Sequence, residues 1–234
     1  MAMPAVIPSP SPNADERPAG QAVDLLLLHY TGMPSGAEAL ARLCDPAARV
    51  SAHYLVEEDG RVFALVPEDR RAWHAGVSSW RGARDINARS IGVELVNPGH
   101  EFGYRPFPQA QMASLVALAQ DILARWPIPP ARVLGHADVA PARKQDPGEL
   151  FDWRGLAADG IGLWPPAAPS LRPVADPGDA LARLGYDVDG AGLQACATAF
   201  QRHWRPQRTD GVLDAADCAV LAWLLDHSGA RGDL

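Results

Sequence analysis

Residues 23–34 read VDLLLLHYTGMP. Val23–Leu28 is a short apolar run of the length expected of a buried strand. It stops at His29, and Gly32 and Pro34 then mark a loop. Strand ends and loops are where a rigid scaffold presents functional groups. The pattern recurs further along the chain. Ile91, Val93 and Leu95 alternate with Gly92, Glu94 and Val96, which predicts a strand with Glu94 on the face opposite the three aliphatic side chains. Val133–Leu134 predicts a short strand leading into Gly135 and His136. His53–Val56 and Val62–Val66 flank the turn Glu57-Glu58-Asp59-Gly60, a hairpin signal. Ala37–Leu43 predicts a short helix. A longer helix from Pro108 to Trp126 carries Met112, Leu115, Val116, Ala119, Ile122, Leu123 and Trp126 on one face, and Pro127, Pro129 and Pro130 stop it. Strands and helices so intermixed predict an α/β fold: a central, mainly mixed β-sheet flanked by helices in three layers.

Composition narrows the function classes. The 234-residue chain has 21 Lys plus Arg against 28 Asp plus Glu, a net charge of −7. That balance argues against a nucleic-acid binder, which needs a basic face. Hydrophobic residues at 47% exclude a disordered chain. No apolar run approaches the roughly 20 residues of a membrane span. Cys44, Cys196 and Cys218 are scattered, with no C-x-x-C pair, so they read as small buried hydrophobes rather than disulfides or thiolate ligands.

The chain divides by composition. Residues 1–20 have prolines at positions 4, 8, 10 and 12 and no Lys or Arg before Arg17. They read as a flexible, Pro-rich lead-in rather than a secretory signal. This points to the cytoplasm, with the periplasm or cell envelope as the alternative if a signal has been removed. Residues 21–164 form the expected α/β domain. Prolines at 165, 166, 169, 173 and 177 predict an extended, contact-poor linker over 165–177. Residues 178–234 predict a small three-helix domain from Asp179–Leu184, Leu193–Trp204 and Ala215–Leu225. On this reading the first domain works without the second.

The informative polar residues are His29, Glu94, His136, Lys144 and Asp146, the last two in KQDPGELFDW. Two imidazoles and a carboxylate make a usual catalytic zinc set, with the fourth position left for water. Spacing alone does not bring the three together, and a structural role for lone histidines stays open.

The ordered series LLLLHYTG (25–32), VSAHYLVEEDGRV (50–62), RAWHAGVSSWRG (71–82), NARSIGVELVN (87–97) and VLGHADVAPARKQDPGELFDW (133–153) resembles the zinc-dependent N-acetylmuramoyl-L-alanine amidases related to phage T7 lysozyme, and within them the AmpD/AmiD type. The resemblance implies Zn2+ held by His29, His136 and Asp146, with Glu94 and Lys144 catalytic. It implies hydrolysis of the amide joining the lactyl group of N-acetylmuramic or 1,6-anhydro-N-acetylmuramic acid to L-alanine. The partners would be muropeptides or the sacculus. His53 and His74 lie in the S-A-H-Y and W-H-A-G motifs, as a fourth ligand or as packing and supporting residues. Tyr30, Tyr54 and Trp73 are groove-lining or packing candidates, and His74 is a substrate-binding candidate beside them. Arg89 is a candidate for a stem-peptide carboxylate or a solvent-facing charge. His100, His203 and His227 fall in no assignable motif. Leu184-Gly185-Tyr186, Phe200-Gln201 and Asp210-Gly211 resemble the small helical peptidoglycan-binding domain. The competing class is a noncatalytic peptidoglycan-recognition protein. Such relatives lack the third ligand, whereas this chain has Asp146 together with Glu94 and Lys144.

Overall fold

The computed structural model describes residues 5–169 and 174–229. In chain order the strands are β1 (Val6–Pro8), β2 (Ala14–Glu16), β3 (Leu25–Tyr30), β4 (Tyr54–Val56), β5 (Val62–Ala64), β6 (Arg70–Ala72), β7 (Ser90–Leu95) and β8 (Val133–Gly135). Six of them form one sheet in the order β1-β5-β4-β7-β3-β8, and β2 pairs separately with β6. β3 lies parallel to both β7 and β8, and β7 parallel to β4. The expected hairpin is the antiparallel pair β4–β5. The sheet is therefore mixed, as the sequence predicts.

Leu25, Leu26, Leu27 and Leu28 are all fully buried, because β3 is central and covered on both faces. Leu26 and Leu28 share a core with Ile91, Val93 and Leu95, against which α4 (Gln109–Arg125) packs Leu115, Leu118, Ala119 and Ile122. Pro108 and Trp126, the expected helix ends, are its caps. On the outer part of the sheet, α1 (Gly36–Cys44) begins at Ser35, whose hydroxyl accepts the Glu38 amide. The register pairs Leu25 with Ser90, Leu27 with Gly92 and His29 with Glu94. Side chains alternate along a strand, so these residues share the other face. Along that face α5 (His136–Val139) lies against β3.

Two expectations for domain organisation are corrected. The segment expected as a flexible lead-in is built into the fold from Val6 onward. β1 extends the sheet in parallel with β5, and β2 pairs antiparallel with β6. Arg17 then reaches inward and donates to the carbonyls of Glu68, Asn87, Ala88 and Ser90. Prolines suit such an edge, where N–H groups need no ladder partner.

The C-terminal helices are also not held apart. They are α7 (Pro177–Leu184), a short α8 (Val188–Ala191), α9 (Leu193–Trp204) and α10 (Ala215–His227). Ala180, Leu181, Leu184, Phe200, Trp204, Leu221 and Leu224 share one core with Leu25, Leu27, Trp80, Leu134 and Val139. Gly185, at φ +144, leaves no room for a Cβ, which would meet the Trp80 ring at 2.5 Å. Trp164 packs into both cores and stacks toward Trp204. The connection at Pro165 is buried. Residues 170–173 of the expected linker lie outside the described residues. Among the described helices none is long and apolar enough to cross a membrane.

Candidate metal and catalytic site

The carboxyl ends of β3, β7 and β8 converge on one point, the place where open α/β sheets present ligands. His29 ends the buried part of β3, Glu94 is its register partner on β7, and His136 opens α5 directly after β8. Asp146 arrives on the following loop, where its backbone carbonyl accepts the Ala137 amide at 2.9 Å. The Nδ1 atoms of His29 and His136 lie 3.0 Å apart, and Asp146 Oδ2 lies 3.0 and 3.1 Å from them.

The hydrogen bonds behind this triangle settle the protons. Ser90 donates its hydroxyl to the Ile86 carbonyl at 2.6 Å, so its oxygen accepts from His74 Nε2 at 3.2 Å. His74 Nδ1 is then a lone pair and accepts His29 Nε2–H at 3.1 Å. That leaves His29 Nδ1 unprotonated. His136 Nε2 lies 3.0 Å from the Ala75 carbonyl, which accepts only from an N–H, so the tautomer of the neutral ring that fits this contact has its lone pair on Nδ1. Burial lowers the His29 pKa to about 4, with His136 adding to the effect, so the ring is neutral at pH 7. Burial opposes the Asp146 charge, but the His136 and His29 rings on Oδ2 hold its pKa well below the usual carboxylate range. With both rings in these neutral tautomers, two nitrogen lone pairs and a carboxylate oxygen face one another. Their separations are close to the roughly 3.3 Å edge of a tetrahedron with ~2.0–2.1 Å metal bonds. The donor set fits a cation, and these residues are the described chain's candidate metal group.

Glu94 stands beside the triad. Its Oε2 is buried without a hydrogen-bond partner. Burial, then the charge of Asp146, raises its pKa well above the carboxylate norm, and Lys144 only partly opposes them. A cavity of about 360 Å3 opens over the site and is lined by Tyr30, Trp73, His74, Glu94, His136, Arg143, Lys144 and Asp146, among others.

The remaining candidates separate. Tyr30 lines the cavity and shares a 2.9 Å hydrogen bond with His100 Nδ1. Trp73 lines it too, with its indole N–H donated to Asp15 of β2 at 2.7 Å. His74 supports His29 rather than serving as a fourth ligand. It packs so closely on Gly92 that a Cβ there would meet its ring at 2.5 Å. His53 is occupied elsewhere, accepting the Gly92 amide and facing the Arg70 carbonyl. Two candidates lie away from the cavity. Tyr54 pairs with Val93, which puts it on the α4 face, and its hydroxyl donates to Glu68. Arg89 makes a two-pronged pair with Asp24, below the site. Arg143, missed in the sequence, donates to the carbonyls of Ala75 and Val77 and so holds the segment that orients His136. Its place next to Lys144 was the available signal. Ser90, three residues before Val93 in the strand, was equally silent.

The mixed sheet and its buried His-His-Asp group, a candidate metal site with an acid and an amine beside it in the cavity wall, have the make-up of a hydrolase with an α/β fold. The family described as N-acetylmuramoyl-L-alanine amidase matches residues 19–149. The chain is 41% identical over 235 residues to the N-acetylmuramoyl-L-alanine amidase AmiD of Escherichia coli (strain K12), covering 88% of this chain and 84% of that one. This chain belongs to the N-acetylmuramoyl-L-alanine amidase family. It is similar in structure to Escherichia coli AmiD in complex with anhydro-N-acetylmuramic acid-L-Ala-D-γ-Glu-L-Lys (TM-score 0.79, 38% identity, 92% of this chain and 94% of that chain). It is equally similar to AmpDh3 of Pseudomonas aeruginosa in complex with an anhydromuramic pentapeptide (TM-score 0.79, 36% identity, 89% and 93%). The 1,6-anhydro-N-acetylmuramyl-L-alanine amidase AmpD of Escherichia coli (strain K12) is 37% identical over 62% of this chain and 86% of that one.

Proposed function

We propose that this amidase cleaves the amide between the lactyl group of N-acetylmuramic, or 1,6-anhydro-N-acetylmuramic, acid and L-alanine in peptidoglycan stem peptides, with zinc held by His29, His136 and Asp146. The three converging ligand atoms beside the unpartnered oxygen of Glu94 carry this reading. The anhydromuramyl peptides bound by AmiD and AmpDh3 support the substrate class. A bound zinc supplies Lewis acidity and a positive charge that lowers the proton affinity of water and of a neighbouring carboxylate.

The chain's own groups then divide the work. Glu94 takes a proton from the attacking water as the water's oxygen bonds to the carbonyl carbon. Lys144 places its ammonium toward the oxyanion that develops there. Glu94 returns the proton to the alanine nitrogen as the C–N bond breaks, which leaves a lactyl carboxylic acid and a free amine; the acid then gives its remaining proton to the amine or to solvent. His74 and the Ala75 carbonyl keep the two imidazoles in the tautomers the site needs. Trp73 and Tyr30 line the cavity.

Metal analysis and hydrolysis of a soluble anhydromuropeptide test this directly. Purified protein holds one zinc per chain, and Glu94→Gln keeps that zinc while losing about 10²–10⁴-fold in kcat. Wild-type turnover after verified zinc removal, or near-normal kcat in Glu94→Gln, overturns it.

A further inference from the structure

Asp138 is 1% exposed and lies two residues beyond His136. Its Oδ2 accepts the Gly135 amide at 2.7 Å, which caps α5 at the residue before the ligand. The other partners come from the C-terminal helices. His203 Nδ1 meets the same oxygen at 2.7 Å, and the Tyr186 hydroxyl donates to Oδ1 at 2.5 Å. His203 is stacked between Trp153, at 3.7 Å, and Trp204, at 3.9 Å, so its ring is fixed. The neighbouring Arg202 grips the loop of the other ligand. Its guanidinium donates to Glu149 at 3.2 Å and to Gln145 at 3.5 Å, on either side of Asp146. The two grips are joined, because the Ala137 amide bonds the Asp146 carbonyl and a Cβ on Gly135 would meet Pro147 at 2.7 Å.

We infer that the C-terminal helical unit is part of the metal site: Tyr186, His203 and Arg202 are positioning residues that hold the helix and the loop carrying His136 and Asp146 in ligating geometry. This rests on the metal reading of the triad above. A contact serving only to glue two units together would be satisfied by apolar side chains, without the desolvation of a carboxylate. Here the buried carboxylate sits on the ligand helix itself, and two of its three partners come from residues at least 48 positions away. Metal sites tolerate little slack, and the loss of outer supporting partners weakens metal binding by about 10–100-fold.

The test uses full-length protein: Tyr186→Phe, His203→Ala, His203→Asn, which keeps a side-chain N–H near the Nδ1 position, and Leu221→Ala, which loosens the C-terminal core away from Asp138. Zinc affinity is measured by chelator competition, amide exchange at residues 135–147 in metal-free protein, and Tm on each. Tyr186→Phe and His203→Ala weaken zinc binding by about 10-fold and speed exchange at Gly135 and Ala137. His203→Asn recovers most of the affinity, and Leu221→Ala lowers Tm with wild-type affinity. Wild-type affinity and exchange in both node variants overturn the inference, as does an affinity that tracks Tm across all four. A wild-type chain that binds no zinc overturns this inference and the metal reading together.

Discussion

Removing residues 170–234 measures how far the C-terminal helices belong to the catalytic fold. Their departure uncovers Trp80 and Trp153, each 4% exposed, and Leu134, 2% exposed. Trp80 lies against Gly185 and Tyr186, Trp153 stacks on His203, and Leu134 faces the same small cavity as Leu184, Trp204 and Leu224. Exposing three large apolar side chains forfeits roughly 1.5–3 kcal/mol each, about 5–9 kcal/mol together. The Asp138 carboxylate also loses two of its three partners, and hydrogen bonds to charged groups are worth about 1.5–3 kcal/mol each. The sum is on the order of 10 kcal/mol, against a typical total stability of about 5–15 kcal/mol. The truncated chain is therefore expected to lose its cooperative thermal transition, or to aggregate, and to lose zinc-dependent hydrolysis of a soluble anhydromuropeptide. Calorimetry and gel filtration beside the full chain check this. A monomeric truncated protein with a Tm within about 5 °C of the full chain and near-normal kcat/KM would refute the reasoning. It would restore the picture of a tethered accessory module.

Two further outcomes follow from side-chain placement. Tyr54→Phe and Arg89→Ala lower the urea midpoint yet leave KM for an anhydromuropeptide unchanged, because Tyr54 bonds Glu68 on the α4 face and Arg89 bonds Asp24; a several-fold rise in KM in either variant would return that residue to the groove. Burial lowers the His53 pKa to about 4, against about 6.5 for an unfolded imidazole. The unfolded chain takes up this proton first, so the stability His53 confers is present above about pH 6.5 and is lost between about pH 6.5 and pH 4, by up to about 3 kcal/mol. Urea unfolding across that range shows a shallower pH slope in His53→Gln than in wild type, and an unchanged slope argues against the assignment.

What was legible in the sequence was what local pattern records. The run Leu25–Leu28 reads as a buried strand because every position is apolar, and β3 is indeed covered on both faces. The alternation of Ile91, Val93 and Leu95 put Glu94 on the opposite side, where it faces His29 in register. The misplacements share a different cause. Tyr54 is one residue from His53 in a motif, and a strand turns adjacent side chains to opposite faces. The first residues read as a lead-in because prolines interrupt any helix; the same prolines are compatible with an edge strand such as β1, whose partner β5 lies far along the chain. Ser90 and Arg143 act through hydrogen bonds to backbone carbonyls, which no side-chain pattern announces.

The C-terminal helices share a core with the sheet where the sequence predicts a tethered domain, and the difference has a physical reason. Prolines between Pro165 and Pro177 predict an extended connection, and an extended connection suggests independent units. Extension and independence are distinct properties. A connection of that length is long enough to lay helices back on the sheet's own core, and the decision rests with the surfaces that meet. Those surfaces carry Trp80 and Leu134 on one side and Leu184, Trp204 and Leu224 on the other, all of them apolar. At their edge sits Asp138, a charge that tolerates burial because Tyr186 and His203 reach it. His203 had no motif to fall in because its role depends on a residue 65 positions earlier in the chain. The similarity to AmiD spans 92% of this chain and so takes in these helices.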